Sequence, residues 1–196
     1  MFTGIIQGTG KIANIENNKT FIETNLDLSD CDIGSSISCD GVCLTAVSIE
    51  QVDKNAFLFS VNIGEETKKR STFNSKSISE IINLEKSLKV GQEISGHFVY
   101  GHVDCISKIL EIEKLKSSWN FHFIKNDKMN KFIVEKGSIS INGISLTIAN
   151  LSSQSFSISI IPHTFENTNL NLLQVNDLVN VEYDYLARYI LDNDRK

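Results

Sequence analysis

Cys39-Asp-Gly-Val-Cys-Leu-Thr-Ala-Val47 and Ile141-Asn-Gly-Ile-Ser-Leu-Thr-Ile-Ala149 read as two copies of one segment. Gly41 aligns with Gly143, Leu44 with Leu146 and Thr45 with Thr147, each pair 102 residues apart. Outward from this segment the offset is 97. Phe2-Thr-Gly-Ile aligns with Val99-Tyr-Gly-His, Lys11 with Lys108, Glu66-Thr67 with His163-Thr164, and Ile82-Asn-Leu-Glu85 with Val179-Asn-Val-Glu182. One five-residue insertion in each direction reconciles the two offsets, and loops tolerate such changes. Collinear matches at a near-constant offset mark an internal duplication.

The texture of each half is that of β-strands. Phe57–Ile63, Trp119–Ile124 and Ser155–Ile160 alternate apolar and polar residues and are rich in aromatic and β-branched side chains. Gly, Asn, Asp and Ser break them at short intervals. Many short strands at close spacing predict a barrel or sandwich. Helical spacing is sparse. Lys128–Lys136 places Met129, Phe132 and Ile133 at helical intervals, Ile78–Ile82 reads as a helical turn or a strand edge, and Tyr185–Leu191 puts Leu186, Tyr189 and Ile190 on one face. The predicted fold is all-β, with two similar small antiparallel barrels in tandem and a C-terminal α-helix. The boundaries are drawn at 1–96, 97–184 and 185–196.

The bulk composition excludes several functions. The chain has 196 residues, a net charge of −5 and a pI near 5.4. That balance argues against nucleic-acid binding, which needs a basic stripe. The run Lys68-Lys69-Arg70 is short and reads as a solvated face. No apolar run approaches the roughly 20 residues that span a bilayer. The start, MFTGIIQGTG, has neither the basic nor the long apolar region of a signal peptide. Cys31, Cys39, Cys43 and Cys105 form no C-x-x-C pair, so no metal site is expected. A cytoplasmic location with reduced thiols follows.

Duplicated barrels offer twin pockets, suited to two identical ligands. The differences between halves are then informative: Cys43 stands where the second half has Ser145. Gly beside Ser, Thr and Cys gives close backbone approach with hydroxyl or thiol groups, a rim fit for a flat polyhydroxylated heterocycle; the same residues also suit tight barrel corners. Of the histidines, His122 lies between Phe121 and Phe123 and faces outward from its strand. His97 and His102 are five apart and, on an extended strand, face opposite sides, one buried and one toward a pocket. His163 follows Pro162, the one proline of the chain.

Read together, Met1-Phe-Thr-Gly4, Gly41-Val-Cys-Leu-Thr45, Gly96-His-Phe-Val-Tyr-Gly-His-Val-Asp104, Lys136-Gly-Ser-Ile, Asn142-Gly-Ile-Ser-Leu-Thr147, Ile161-Pro-His-Thr164 and Val179-Asn-Val-Glu182 resemble the riboflavin synthases of the lumazine-dismutating family. The resemblance runs from residue 1 to about 190. It implies two six-stranded Greek-key barrels and a helix that assembles a homotrimer. One 6,7-dimethyl-8-ribityllumazine would bind in the first barrel of one subunit and another in the second barrel of its neighbour. A four-carbon unit would pass between them without metal or organic cofactor, and lumazine synthase would be a further partner.

The resemblance carries over Phe2, Thr3, Cys43, His102, Ser145, Thr147 and Asp184 as catalytic candidates. His102 is assigned proton transfer and Ser145 an orienting hydroxyl. Cys43 is a nucleophile or a polar wall, and Asp184 holds ribityl hydroxyls or a proton. Substrate contacts are carried to Gly4, Ile5, Ile6, Cys43, Leu44, Thr45, Asn62, Ile63, Gly64, Glu65, Glu66, Thr67, Gly101, His102, Val103, Lys136, Ser145, Leu146, Thr147, Ile161, Pro162, His163, Thr164, Phe165 and Glu166. Asn62–Thr67 departs from the family by its acidic, glycine-bearing sequence. A non-catalytic lumazine or flavin carrier and a cofactor-free interaction barrel are the competing readings.

Overall fold

The computed structural model describes residues 1–127 and 129–193; side chains are described except at 130 and 191–193. The first half forms β1 (Gly8–Glu16), β2 (Lys19–Thr24), β3 (Ser36–Cys39), β4 (Val42–Asp53), β5 (Ala56–Asn62) and β6 (Ile81–Lys86), with helix α1 (Glu65–Arg70) before β6. These strands close into an antiparallel barrel in the order β1-β2-β5-β4-β3-β6. The second half repeats the plan with β7 (Cys105–Lys114), β8 (Trp119–Ile124), β9 (Ser138–Ile141), β10 (Ile144–Leu151), β11 (Ser155–Ile160) and β12 (Leu178–Tyr183), with α2 (Pro162–Glu166) before β12. Its closed order, β10-β11-β8-β7-β12-β9, is the same ring with every strand number raised by six. The Tyr185–Asn193 helix, α3, follows.

Even the irregularities repeat. The β1 ladder slips between Ile12 and Asn14 and the β7 ladder between Ile109 and Glu111; β4 slips between Ala46 and Ser48 and β10 between Ile148 and Asn150. Bulges bend strands and let a small sheet close on itself. Strand alternation fills each interior. Ile12, Ile22, Ile37, Phe59 and Leu84 are fully buried in the first barrel, and Ile109, Phe121, Phe123, Ile158 and Val181 in the second. Each such side chain contributes about 1.5–3 kcal/mol of burial.

The helical spacing over Lys128–Lys136 does not make an α-helix. It yields a single 3-10 turn at Met129–Lys131, with Lys128 outside the described residues. Met129 and Ile133 bury into the second core, and Lys136 turns back with φ of 66°, so packing overrides the periodicity. Ile78–Ile82 resolves as a strand edge, since β6 begins at Ile81. Among the described residues no helix is long and apolar enough to cross a membrane.

Candidate functional site

The two barrels exchange their leading arms. The segment before β1 leaves its own barrel at Glu85 and reaches the second: the Ser145 amide donates to the Gly4 carbonyl at 2.8 Å, and Ile6 packs on the second core. The segment before β7 does the converse. The Cys43 amide donates to the Gly101 carbonyl at 2.9 Å, and Val103 packs on the first core. A Cβ on Gly4 would lie 2.6 Å from Ser145 Cβ, and one on Gly101 2.6 Å from Cys43 Cβ; both glycines hold positive φ, 76° and 77°. Only glycine combines that backbone with that contact.

Each arm is rooted by a buried glutamate. Glu85 accepts from the Thr3 amide and hydroxyl, both at 2.7 Å, and from the Gly4 amide at 2.9 Å. Glu182, its counterpart, accepts from the amides of Tyr100 at 2.7 Å, Gly101 at 2.8 Å and His102 at 3.0 Å. Burial pushes the Glu85 carboxyl up; it pushes the Glu182 carboxyl up to about 7, against the pull of the three amides that favour the anion.

Each barrel's Cys43 or Ser145 therefore faces the other barrel's arm. Around Cys43 lies a cavity of about 230 Å³ lined by Glu66, Thr67, Arg70, Gly101, His102 and Val103, among others. His102 is exposed at its mouth. Glu66 is ion-paired with Arg70, which holds its carboxyl below the ordinary range. Around Ser145 the arrangement differs in side chains. His97 Nδ1 lies 2.7 Å from Ser145 Oγ. Burial pushes the His97 imidazole below its ordinary value, with the Asp184 charge opposing, so the ring is neutral near pH 7. An imidazole nitrogen within hydrogen-bond distance of a hydroxyl is the geometry of a base paired with a hydroxyl when the tautomer leaves Nδ1 unprotonated. His97 Nε2 is buried and has no hydrogen-bond partner among the described residues.

The structure brings together Cys43, Glu66, Thr67, Gly101, His102 and Val103 in one place, and Gly4 and Ser145 in another. Phe2 and Leu44 lie in the interior instead, 0% and 4% exposed. Ile63 is likewise buried in the first core, and Gly64 caps α1 through its carbonyl. Thr3 is spent on Glu85, and Asp184 caps α3 by accepting from the Leu186 amide at 3.0 Å. Phe165 stacks on Trp119 at 4.0 Å. Thr45, Asn62, Glu65, Lys136, Thr147, Ile161, Pro162 and His163 are exposed.

Sequence reasoning missed the pairing of His97 with Ser145. It placed His97 and His102 on one extended strand, but that run is broken by Gly101 and makes only a single bridge, Phe2 to Val99. The glycine before His97 was the available signal: a Cβ on Gly96 would meet Thr3 O at 2.1 Å and Ser145 Oγ at 2.9 Å.

Two copies of one barrel, each meeting the other's arm, define a duplicated β-barrel protein. The comparisons with known proteins agree. A family model described as the lumazine binding domain matches the chain twice, over residues 3–87 and 100–184. The riboflavin synthase of Brucella abortus is 38% identical over 193 residues, covering 96% of each chain. That of Actinobacillus pleuropneumoniae is 36% identical, covering 97% of this chain and 88% of its own. The solved structure of LumP complexed with riboflavin superposes with a TM-score of 0.79 at 22% identity, over 93% of this chain and 99% of LumP, a likeness of fold. The chain belongs to the riboflavin synthase family, and the enzyme class implied by its motifs stands.

Proposed function

We propose that the chain converts two 6,7-dimethyl-8-ribityllumazine molecules into riboflavin and 5-amino-6-(D-ribitylamino)uracil by four-carbon transfer, the last step of riboflavin biosynthesis. The observation that carries this reading is the pair of arm crossings, alike in backbone and unlike in side chains, one at Cys43 and one at Ser145. Dismutation needs that combination: one molecule gives carbon and its twin receives it. The 7-methyl group of the lumazine is acidic because its anion delocalises into the ring, so the reaction begins with a proton transfer. The Ser145–His97 pair offers a neutral base beside a hydroxyl at one pocket. His102 offers an accessible imidazole beside Cys43 at the other. Holding the two rings in register supplies much of the rate, since effective molarities reach about 10⁵ M and above. Cys43 acts as a polar wall, consistent with Ser145 as its counterpart.

A homotrimer with facing pockets from neighbouring subunits is part of the proposal. It is supported by α3, which leaves Leu186, Tyr189 and Ile190 each more than 60% exposed on a nine-residue helix too short to be stable alone. Lumazine synthase as a partner and a cytoplasmic setting complete it. Riboflavin formation from lumazine alone, at one product per two substrates, tests the reading. Binding without conversion would indicate a carrier.

A further inference from the structure

We propose that Glu182 and Glu85 are positioning residues, each anchoring in its own barrel the arm that meets Cys43 or Ser145 of the other barrel. Glu182 lies in β12, yet the amides it holds, those of Tyr100, Gly101 and His102, belong to the arm that meets Cys43 of the first barrel. Glu85 lies in β6 and holds Thr3 and Gly4, which meet Ser145 of the second. Among the described residues neither carboxylate hydrogen-bonds to the side chains of Cys43, Ser145, His97 or His102; each holds the arm that meets Cys43 or Ser145.

The donor set suits the ionised form of each carboxyl, which Glu182 takes up above about pH 7. Three donors converge on each pair of oxygens, and an ionised carboxyl is acceptor-only with about four lone-pair sites. Both glutamates are 2% exposed, so water does not compete for the donors. Each partners its arm alone, and neither forms an ion pair among the described residues. A glutamine of the same shape would keep one acceptor and turn an NH₂ toward an amide N–H, so one anchor becomes a repulsion. A displacement of about 1 Å in such an arm costs on the order of 100-fold in rate.

The two clamps hold different arms, which gives a readout that a general loss of stability would not produce. This inference rests on the proposed reaction for its meaning in catalysis, but its geometry is read without substrate. The test is Glu182→Gln and Glu85→Gln in the full chain, with the four histidine imidazoles followed by ¹⁵N NMR and turnover followed in parallel. Glu182→Gln is expected to move the His102 resonances and leave His97 in place. Glu85→Gln is expected to move His97, through Gly4 and Ser145, and leave His102 in place. Each is expected to lower kcat at least tenfold. The proposal is overturned if each variant shifts both histidines alike, if neither moves its own, or if kcat is unchanged. Thr3→Val, which removes one donor and no charge, reports on the Glu85 clamp should a glutamine variant fail to fold; it too is expected to move His97 alone, and no movement would overturn the proposal. The histidine pattern in the variants, together with a wild type that does not convert lumazine, would sink the reaction and leave the clamps standing.

Discussion

The Phe2 amide donates to the Val99 carbonyl at 2.6 Å, and the Val99 amide returns the bond to Phe2 at 3.1 Å. Residue 2 plus 97 is residue 99, so equivalent residues of the two halves pair with each other, and the pseudo-twofold axis passes between them. The same relation recurs in the interior seam. The Asn83 side chain donates to the Asn142 carbonyl at 3.0 Å, and its counterpart Asn180 donates to the Asp40 carbonyl at 2.8 Å. Gly41 and Gly143 meet there so closely that a Cβ on either would fall within 3 Å of the other's amide nitrogen. The symmetric seam fixes how the arms cross, and the crossing brings each arm onto Cys43 or Ser145 of the other barrel.

Gly101→Ala and Gly4→Ala are therefore expected to act as a matched pair. Each places a Cβ 2.6 Å from backbone and side chain of the residue it meets, at a positive φ. Left-handed strain alone costs roughly 1–2 kcal/mol, and the contact adds overpacking of about 1–3 kcal/mol. Urea unfolding should show a loss of about 2–5 kcal/mol for each. A loss below about 0.5 kcal/mol in either would contradict the close crossing.

Ser145→Ala and His97→Gln are expected to lower kcat by about 10²–10⁴, the usual worth of a positioned acid–base pair. Lumazine affinity should change little, because the pocket walls remain. The double variant should lose scarcely more than either single change, since both act as one unit. Additive losses would show that the two side chains work separately.

Glu182 gives a pH dependence of defined sign. Its folded value of about 7 lies above the ordinary 4.5. The folded chain thus binds this proton more tightly than the unfolded chain does. The resulting contribution to stability is fully present below about pH 4.5 and is lost as pH rises through about 7. Compared with Glu182→Gln, the wild type should gain on the order of 3 kcal/mol between pH 8 and pH 4.5. Unfolding free energies of both proteins across that range check this; a constant difference would mean that Glu182 titrates at its ordinary value.

Leu186→Glu with Ile190→Glu is expected to abolish self-association while leaving both barrels folded. These side chains are each 63% exposed on α3. Light scattering would show trimer for the parent and monomer for the variant. Equal masses for the two would remove α3 from the interface.

Much of the architecture was legible in the residues. The offset of 97 located both barrels, because a duplicated core must repeat its inward residues: Ile12 with Ile109, Leu84 with Val181. The strand runs read correctly because alternation is local. Lys128–Lys136 misled because its apolar spacing serves burial of Met129 and Ile133 across a tight turn. The arm exchange was invisible, since nothing local says which barrel a segment before β1 or β7 will join. For the same reason Cys43 with His102 could be listed as candidates but not placed in one cavity with Thr67, and His97 was not tied to Ser145. Long-range pairings come from topology, and the paired Glu85 and Glu182 carried that information only in retrospect.

The central claim is that the protein turns two identical lumazines into one riboflavin. Its most direct measurement mixes the purified full chain with 6,7-dimethyl-8-ribityllumazine, a chelator and no cofactor, and follows absorbance. The account predicts one riboflavin formed for every two lumazines consumed. Lumazine bound but left unconverted would contradict it.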